Sequence, residues 1–288
     1  MSFFANNNQI SKEEFSLFRD YIHDVCGIAI PAEKAYLIET RLTKLMLDAG
    51  AETFGDFHDY IIANRDPSMR QKIINAITTN ETLWFRDGAP WKVLEEEHLP
   101  RLVDALEASV KKRVRIWCAA VSTGQEAYST AMCVDDYLTR TNRRGHSLSD
   151  FEILATDISS RVLDIAKKGV YDKVSIRRGL SEHYRAKYFE EQNSAWAIDP
   201  KIRDAVTFKL FNLLDNYRAF GQFDIIFCRY VLIYFSNAIK ADIIRKMRDA
   251  LSDGGILFTG NYVLYELFED GFDTNHYGNL TYFTKRRR

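Results

Sequence analysis

Residues 114–128, reading VRIWCAAVSTGQEAY, constrain this chain more than any other stretch. An apolar run ends in the small polar cluster Ser122-Thr123-Gly124, and a helical pattern begins directly after it. Strand, tight turn and helix N-terminus in that order open a parallel α/β sheet, and ligands of such sheets sit at the carboxyl ends of the strands. The chain beyond repeats the alternation. Strands are expected at 114–119, 151–156, 206–211, 223–228 and 256–260, with helices at 125–139, 160–168 and 237–251 between them. The helix at 237–251 is expected to close at Gly254-Gly255. Residues 279–285 alternate like an antiparallel edge strand.

Before residue 89 no strand-like run occurs. Ser11 and Glu14 form a capping box ahead of Phe15, Phe18, Ile22 and Val25. Further helices are expected at 32–49 and 55–64 and from Pro67, where Asp66 stands as the N-cap, and another spans 93–111. The expected organisation is an all-helical domain at 1–88 and a Rossmann-like α/β domain at 89–288. The stretch from about 170 to 205 is longer than a crossover needs. It reads as an inserted β-subdomain, with a helix at 182–189 capped by Ser181 and a short strand at 195–198.

Composition narrows the function. A net charge of -1 argues against a general nucleic-acid binder. No apolar run approaches a membrane span, and MSFFANNNQI is not a secretory signal. Cys26, Cys118, Cys133 and Cys228 stand isolated in apolar surroundings, as reduced core thiols of a cytoplasmic protein would. No HExxH, no Cys/His cluster and no evident Ser/His/Asp arrangement occurs, so neither a metal nor a covalent nucleophile is expected.

The turn at 122–124 has a single glycine, Gly124, and so lacks the fingerprint that cradles a pyrophosphate. A ligand without phosphates fits better, and S-adenosylmethionine is the common one on such sheets. Glu126 lies where it can touch that ligand, cap the next helix with Thr123, or do both. Asp157, directly after the second strand, can accept from both ribose hydroxyls or cap the helix that follows. Asn212 and Leu213 after the third strand can meet an adenine edge and face, or form an ordinary turn. Arg229 and Tyr230 end the fourth strand, with Tyr234 just beyond; Phe227 and Phe235 are core. Asn80, Thr82 and Arg86 cluster just before the domain junction and by themselves would pass for cap and linker.

Taken in order, TTNETxxFRD, AAxSTGQExYS, ATDIS, NLL and FDxIFCRxVLIYF resemble the CheR-type chemotaxis receptor methyltransferases over nearly the whole chain. The resemblance implies methyl transfer from S-adenosylmethionine to glutamate side chains on the cytoplasmic helices of chemoreceptors. It implies that Asn80, Thr82, Arg86, Glu126, Asp157, Asn212, Leu213, Arg229 and Tyr230 surround the cofactor. It places Tyr234 near the transferred methyl group and pairs Arg86 with the methionine carboxylate. In some relatives the β-subdomain docks a short receptor peptide; the compact stretch after Phe189 argues against tight tethering here. Arg41 and Lys44, with Lys34, are candidates to meet acidic receptor helices, or are a solvated face. A monomer is expected. The terminal Arg286-Arg287-Arg288 reads as a solubilising tail.

The chain departs from the family pattern in three places. STGEEPYS becomes STGQEAYS, the Arg-Asn pair becomes Arg229-Tyr230, and GHSE becomes Gly260-Asn261-Tyr262-Val263. The last two lie on the acceptor side and leave two other readings open: a methyltransferase for a different acceptor, or a non-catalytic cofactor-sensing adaptor. The missing glycines disfavour NAD-dependent chemistry.

Overall fold

The computed structural model describes residues 9–143, 145–260 and 264–287. Its first layer holds α1 (Lys12–Cys26), α2 (Ala35–Asp48), α3 (Phe54–Asn64) and α4 (Pro67–Ile77). The Ser11/Glu14 capping box starts α1, and Gly27 ends it at φ 74°, a conformation that favours glycine. Phe18, Phe54, Phe57, Ile38, Leu42 and Met46 interlock as a separate apolar core. Each such side chain, fully buried, contributes about 1.5–3 kcal/mol.

Two short helices follow, α5 (Ala89–Val93) and α6 (Leu99–Glu107), joined by a wider-wound turn at Leu94–His98. The sequence suggests one helix at 93–111. Pro100 has no N–H to donate back along the helix, so the chain widens ahead of it instead of continuing straight.

The α/β part alternates as expected: β1 (Val114–Ala119), α7 (Gln125–Arg140), β2 (Phe151–Asp157) and α8 (Ser160–Lys168). Next comes the inserted unit, with β3 (Val170–Asp172), α9 (Lys173–Arg177), α10 (Glu182–Tyr188), β4 (Phe189–Gln192) and β5 (Ala195–Ile198). Then come α11 (Pro200–Asp204), β6 (Val206–Leu210), β7 (Phe223–Phe227), α12 (Asn237–Ala250), β8 (Leu251–Phe258), β9 (Phe272–Tyr277) and β10 (Leu280–Lys285). The main sheet has the order β6-β2-β1-β7-β8-β10-β9, parallel through β8 and antiparallel beyond. β10 lies inside the sheet rather than at its edge. The edge on that side is β9, half of whose residues are exposed and which carries no apolar alternation to betray a strand.

Gly254-Gly255 does not end the helix. α12 stops at Ala250, and β8 runs through the glycines, with a register irregularity opposite Phe223 and Ile225. A Cβ on Gly255 would lie 2.8 Å from the Ser252 carbonyl oxygen, so this irregular strand needs glycine there.

The inserted unit is an antiparallel sheet, β3-β5-β4, whose β4–β5 hairpin turns at Asn193-Ser194 with both residues at positive φ. It anchors on α7: the Tyr188 hydroxyl donates to Asp135 at 3.0 Å, and Lys187 pairs with Asp136 at 2.7 Å. No helix among the described residues is long and apolar enough to cross a membrane. The helical layer faces the carboxyl ends of β1, β2, β6 and β7, and the space between them is the site.

Candidate functional site

A cavity of about 310 Å³ lies there. It falls at the lower end of the ~300–1,000 Å³ usual for small-molecule sites. All ten residues expected around the cofactor or the methyl group line it: Asn80, Thr82, Arg86, Glu126, Asp157, Asn212, Leu213, Arg229, Tyr230 and Tyr234.

The turn between β1 and α7 is tightly wound. Ala120 and Ser122 have φ near 60° and 54°, and Gly124 has φ 99°. A Cβ on Gly124 would lie 2.9 Å from the Ala166 side chain, so only glycine fits. Of the roles open to Glu126, the capping box with Thr123 does not form. Gly124 itself is the N-cap and makes no side-chain bond, while the Thr123 hydroxyl donates to Gln125 at 2.8 Å. Glu126 turns inward instead and pairs with Arg229 at 3.0 Å. The buried guanidinium offers it a charge-assisted partner that a helix end cannot match.

Asp157 is buried at the end of β2. One of its carboxylate oxygens accepts from the Ser122 N–H at 2.8 Å and the other from the Ser159 N–H at 2.9 Å. Burial raises its pKa above the usual value, against the pull of these N–H donors. It is not the cap of α8; Ser159 holds that position. Glu126 is also raised by burial, and Arg229 opposes the shift.

Arg229 is the hub. Its side chain is 1% exposed and its Nη2 meets both Asp87 at 2.5 Å and the Arg86 carbonyl at 2.7 Å. Its Nε is buried without a partner among the described residues. Asp87 also accepts from the Tyr230 hydroxyl at 2.6 Å. The Arg86 guanidinium lies 3.5 Å from the centre of the Tyr230 ring and has no carboxylate partner among the described residues. Phe85, Asp87, Ala120, Ser122 and Tyr230, half of the ten described non-glycine residues at positive φ, gather on or beside this wall. Strained backbone of this kind concentrates at functional sites.

Asn212 has both ends of its amide engaged. Nδ2 donates to the Val25 carbonyl at 2.9 Å, and Oδ1 accepts from the Leu214 N–H at 3.1 Å. Leu213 is buried beside it. The Asn80 carbonyl accepts from the Ser122 hydroxyl at 2.8 Å. Tyr234 is half-buried at the rim next to the exposed Ile233, and its hydroxyl makes no hydrogen bond among the described residues.

Arg41 and Lys44 do not line the cavity. Arg41 donates to the Ile77 carbonyl and, at 3.3 Å, to the Thr79 hydroxyl, bracing the segment that enters the site. Lys44 is exposed and pairs with Asp48 at 2.8 Å. Of the departing segment at 260–263, Asn261, Tyr262 and Val263 lie outside the described residues, as does Arg288 of the terminal tail.

Several lining residues carry no local sequence signal. Cys26, the last residue of α1, and Ile28 just beyond it reach the cavity only because the helical layer folds over it. Burial pushes the Cys26 thiol up to about 11, so it stays protonated. Asp87 was legible as the last residue of TTNETxxFRD, but nothing in its surroundings marks it as the partner of a residue 142 positions away.

Among the described residues, a cation without a carboxylate partner, two buried carboxyls and a guanidinium N–H without a partner line or adjoin one pocket, which suits a nucleoside carrying a zwitterionic amino-acid arm. Fold and site together define an S-adenosylmethionine-dependent methyltransferase. Residues 80–269 match the CheR methyltransferase SAM binding domain, and residues 13–78 match the CheR methyltransferase all-alpha domain. The chain is 42% identical to chemotaxis protein methyltransferase 1 of Pseudomonas aeruginosa, over 86% of this chain and 88% of that one. It is 41% identical to chemotaxis protein methyltransferase Cher2 of Pseudomonas putida, with the same coverage. A Vibrio anguillarum chemotaxis protein methyltransferase is 38% identical over 87% of this chain and 89% of its own. The chain belongs to the CheR methyltransferase family and binds S-adenosylmethionine through its SAM binding domain.

Proposed function

We propose that this protein methylates glutamate side chains on the cytoplasmic helices of chemoreceptors, leaving glutamyl methyl esters, and that it does so as a cytoplasmic monomer. The observation that carries this reading is that one cavity gathers all the expected cofactor residues, with the Tyr234 hydroxyl, which makes no hydrogen bond among the described residues, at its rim. The names of the relatives, chemotaxis protein methyltransferases, supply the receptor as acceptor.

S-adenosylmethionine supplies an electrophilic methyl group on a cationic sulfonium. A glutamate carboxylate is already ionised at neutral pH, with an ordinary pKa of about 4.3, so the chain need not supply a general base. Its residues bind, orient and exclude water, which is worth up to about 7–11 kcal/mol. Arg86 takes the carboxylate of the methionine arm, and Glu126, held by Arg229, faces its ammonium. Asp157 accepts from the ribose hydroxyls. Asn212 and Leu213 meet the adenine, and Asn80 and Thr82 close the pocket from the linker. Tyr234 shapes the channel through which the acceptor arrives. Lys34 and Lys44 meet the acidic receptor helix, while Arg41 stiffens the segment behind them.

The test is transfer of labelled methyl from S-adenosylmethionine to purified receptor cytoplasmic fragments. The expected label is released by mild base as methanol. Absence of transfer, or a base-stable label, sinks the glutamate assignment. In the same assay Tyr234→Ala should slow transfer far more than it weakens binding of S-adenosylhomocysteine. Equal losses of both would remove Tyr234 from the methyl channel.

A further inference from the structure

Tyr230 combines a costly backbone conformation with three side-chain contacts. Its φ of 59° lies in the left-handed region, where bulky side chains are rare. Three contacts hold it there. The hydroxyl donates to Asp87 at 2.6 Å. One face carries the Arg86 guanidinium at 3.5 Å. The ring also packs over Gly260, where a Cβ would lie 3.3 Å from it. The phenol proton is therefore already committed to Asp87. Burial and the Asp87 contact raise its pKa, which keeps it a donor.

Arg86, by contrast, has little else to hold it. Among the described residues its guanidinium makes one hydrogen bond, to the Glu81 carbonyl, at a long 3.4 Å. An arginine chain tethered so loosely loses orientation unless a surface fixes the planar head, and an aromatic face does so through cation–π attraction. The same tyrosine hydroxyl shares Asp87 with Arg229, so the ring is locked to the buried hub that carries Glu126.

We propose that Tyr230 is a positioning residue: its ring aims the Arg86 guanidinium at the carboxylate of the cofactor's methionine arm. This rests on the reading that Arg86 takes that carboxylate. It turns a residue on the cofactor wall into one that acts through its neighbour, and it predicts which part of the ligand feels the loss.

Calorimetry on the full chain with two ligands tests it. S-adenosylhomocysteine carries the amino-acid arm; 5′-deoxy-5′-methylthioadenosine has the same thionucleoside without it. The readout is the affinity ratio between them. Tyr230→Asn removes the ring while keeping a residue that tolerates positive φ. It should shrink the ratio by about tenfold, roughly 1.4 kcal/mol, with methylthioadenosine affinity unchanged. Tyr230→Phe, which keeps the ring, should retain most of the ratio. Arg86→Gln should abolish the preference. If Tyr230→Asn weakens both ligands equally, binds neither, or leaves the ratio intact while Arg86→Gln abolishes it, the positioning role is overturned. If Arg86→Gln leaves the ratio intact, the underlying carboxylate assignment fails, and the aim of Tyr230 fails with it.

Discussion

Asp157 and Glu126 are both buried carboxyls with raised pKa values, but only Glu126 has a cation beside it. Asp157 relies on two backbone N–H donors, so a proton competes for it more easily than for an ordinary aspartate. Ribose hydroxyls donate, and a carboxylate must be ionised to accept fully from both. Affinity for S-adenosylhomocysteine should therefore fall as pH drops from about 7, with the break above the usual aspartate value of about 3.9. Calorimetry across that range checks it, and Asp157→Asn should bind more weakly with a shallower pH dependence. A break at or below the ordinary value would remove Asp157 from the ribose. At this scale the sequence was legible by motif and order, not by the chemistry of single residues. Thr123 and Glu126 have the right spacing for a capping box, and only the distant Arg229, invisible locally, decides against it. The amide of Asn212 looked like a ligand group or a turn; its grip on the Val25 carbonyl could not be read from either neighbourhood.

Among the elements, α4 shows both what patterning reveals and what it hides. Its apolar side, Ile73, Ile74 and Ile77, follows from helical spacing. Its polar side does more for the site. Gln71 and Asn75 are one turn apart, and Gln71 donates to the Ile158 carbonyl at 2.9 Å. Asn75 accepts from the Ser159 hydroxyl at 2.9 Å and donates to that of Ser160 at 3.1 Å. They hold the loop that carries Asp157, from more than 80 residues away in sequence. Asn75→Ala leaves the buried Ser159 hydroxyl unsatisfied, which costs about 1–3 kcal/mol. Cofactor affinity should drop about tenfold for each ~1.4 kcal/mol lost at the site, and thermal unfolding of the free protein should come earlier. Unchanged binding in that variant would mean the loop holds itself. The strands β1, β2 and β7 were legible because both faces are buried and the runs are apolar. The edge strand β9 was not, because its exposed residues need no apolar pattern. Nor was the pairing of α9 with the linker, where the Trp84 indole N–H donates to the Ser175 carbonyl at 3.1 Å.

Over the whole molecule, the helical layer grips the loops at the carboxyl ends of β1, β2, β6 and β7. Ser122 reaches the Asn80 carbonyl, Asn75 holds Ser159, Asn212 reaches the Val25 carbonyl, and the Ala29 N–H donates to the Tyr234 carbonyl at 2.8 Å. Cofactor binding should then be felt on both sides of the cavity. Hydrogen exchange on the full chain with S-adenosylhomocysteine should slow at Ala29 and along residues 77–83 as well as at Ser122 and Ser159. Protection confined to the sheet loops would show that the layer is a bystander. The division into helices and sheet could be read from the sequence, but not this closure, because every grip joins residues far apart in the chain. Three of the four contacts engage main-chain groups of the helical layer, at Asn80, Val25 and Ala29. Peptide groups are the same whatever side chain they carry. Side chains on the outer faces of these segments can therefore be exchanged without loosening the three grips, because what closes the pocket is the path of the chain and not the chemistry it displays to solvent.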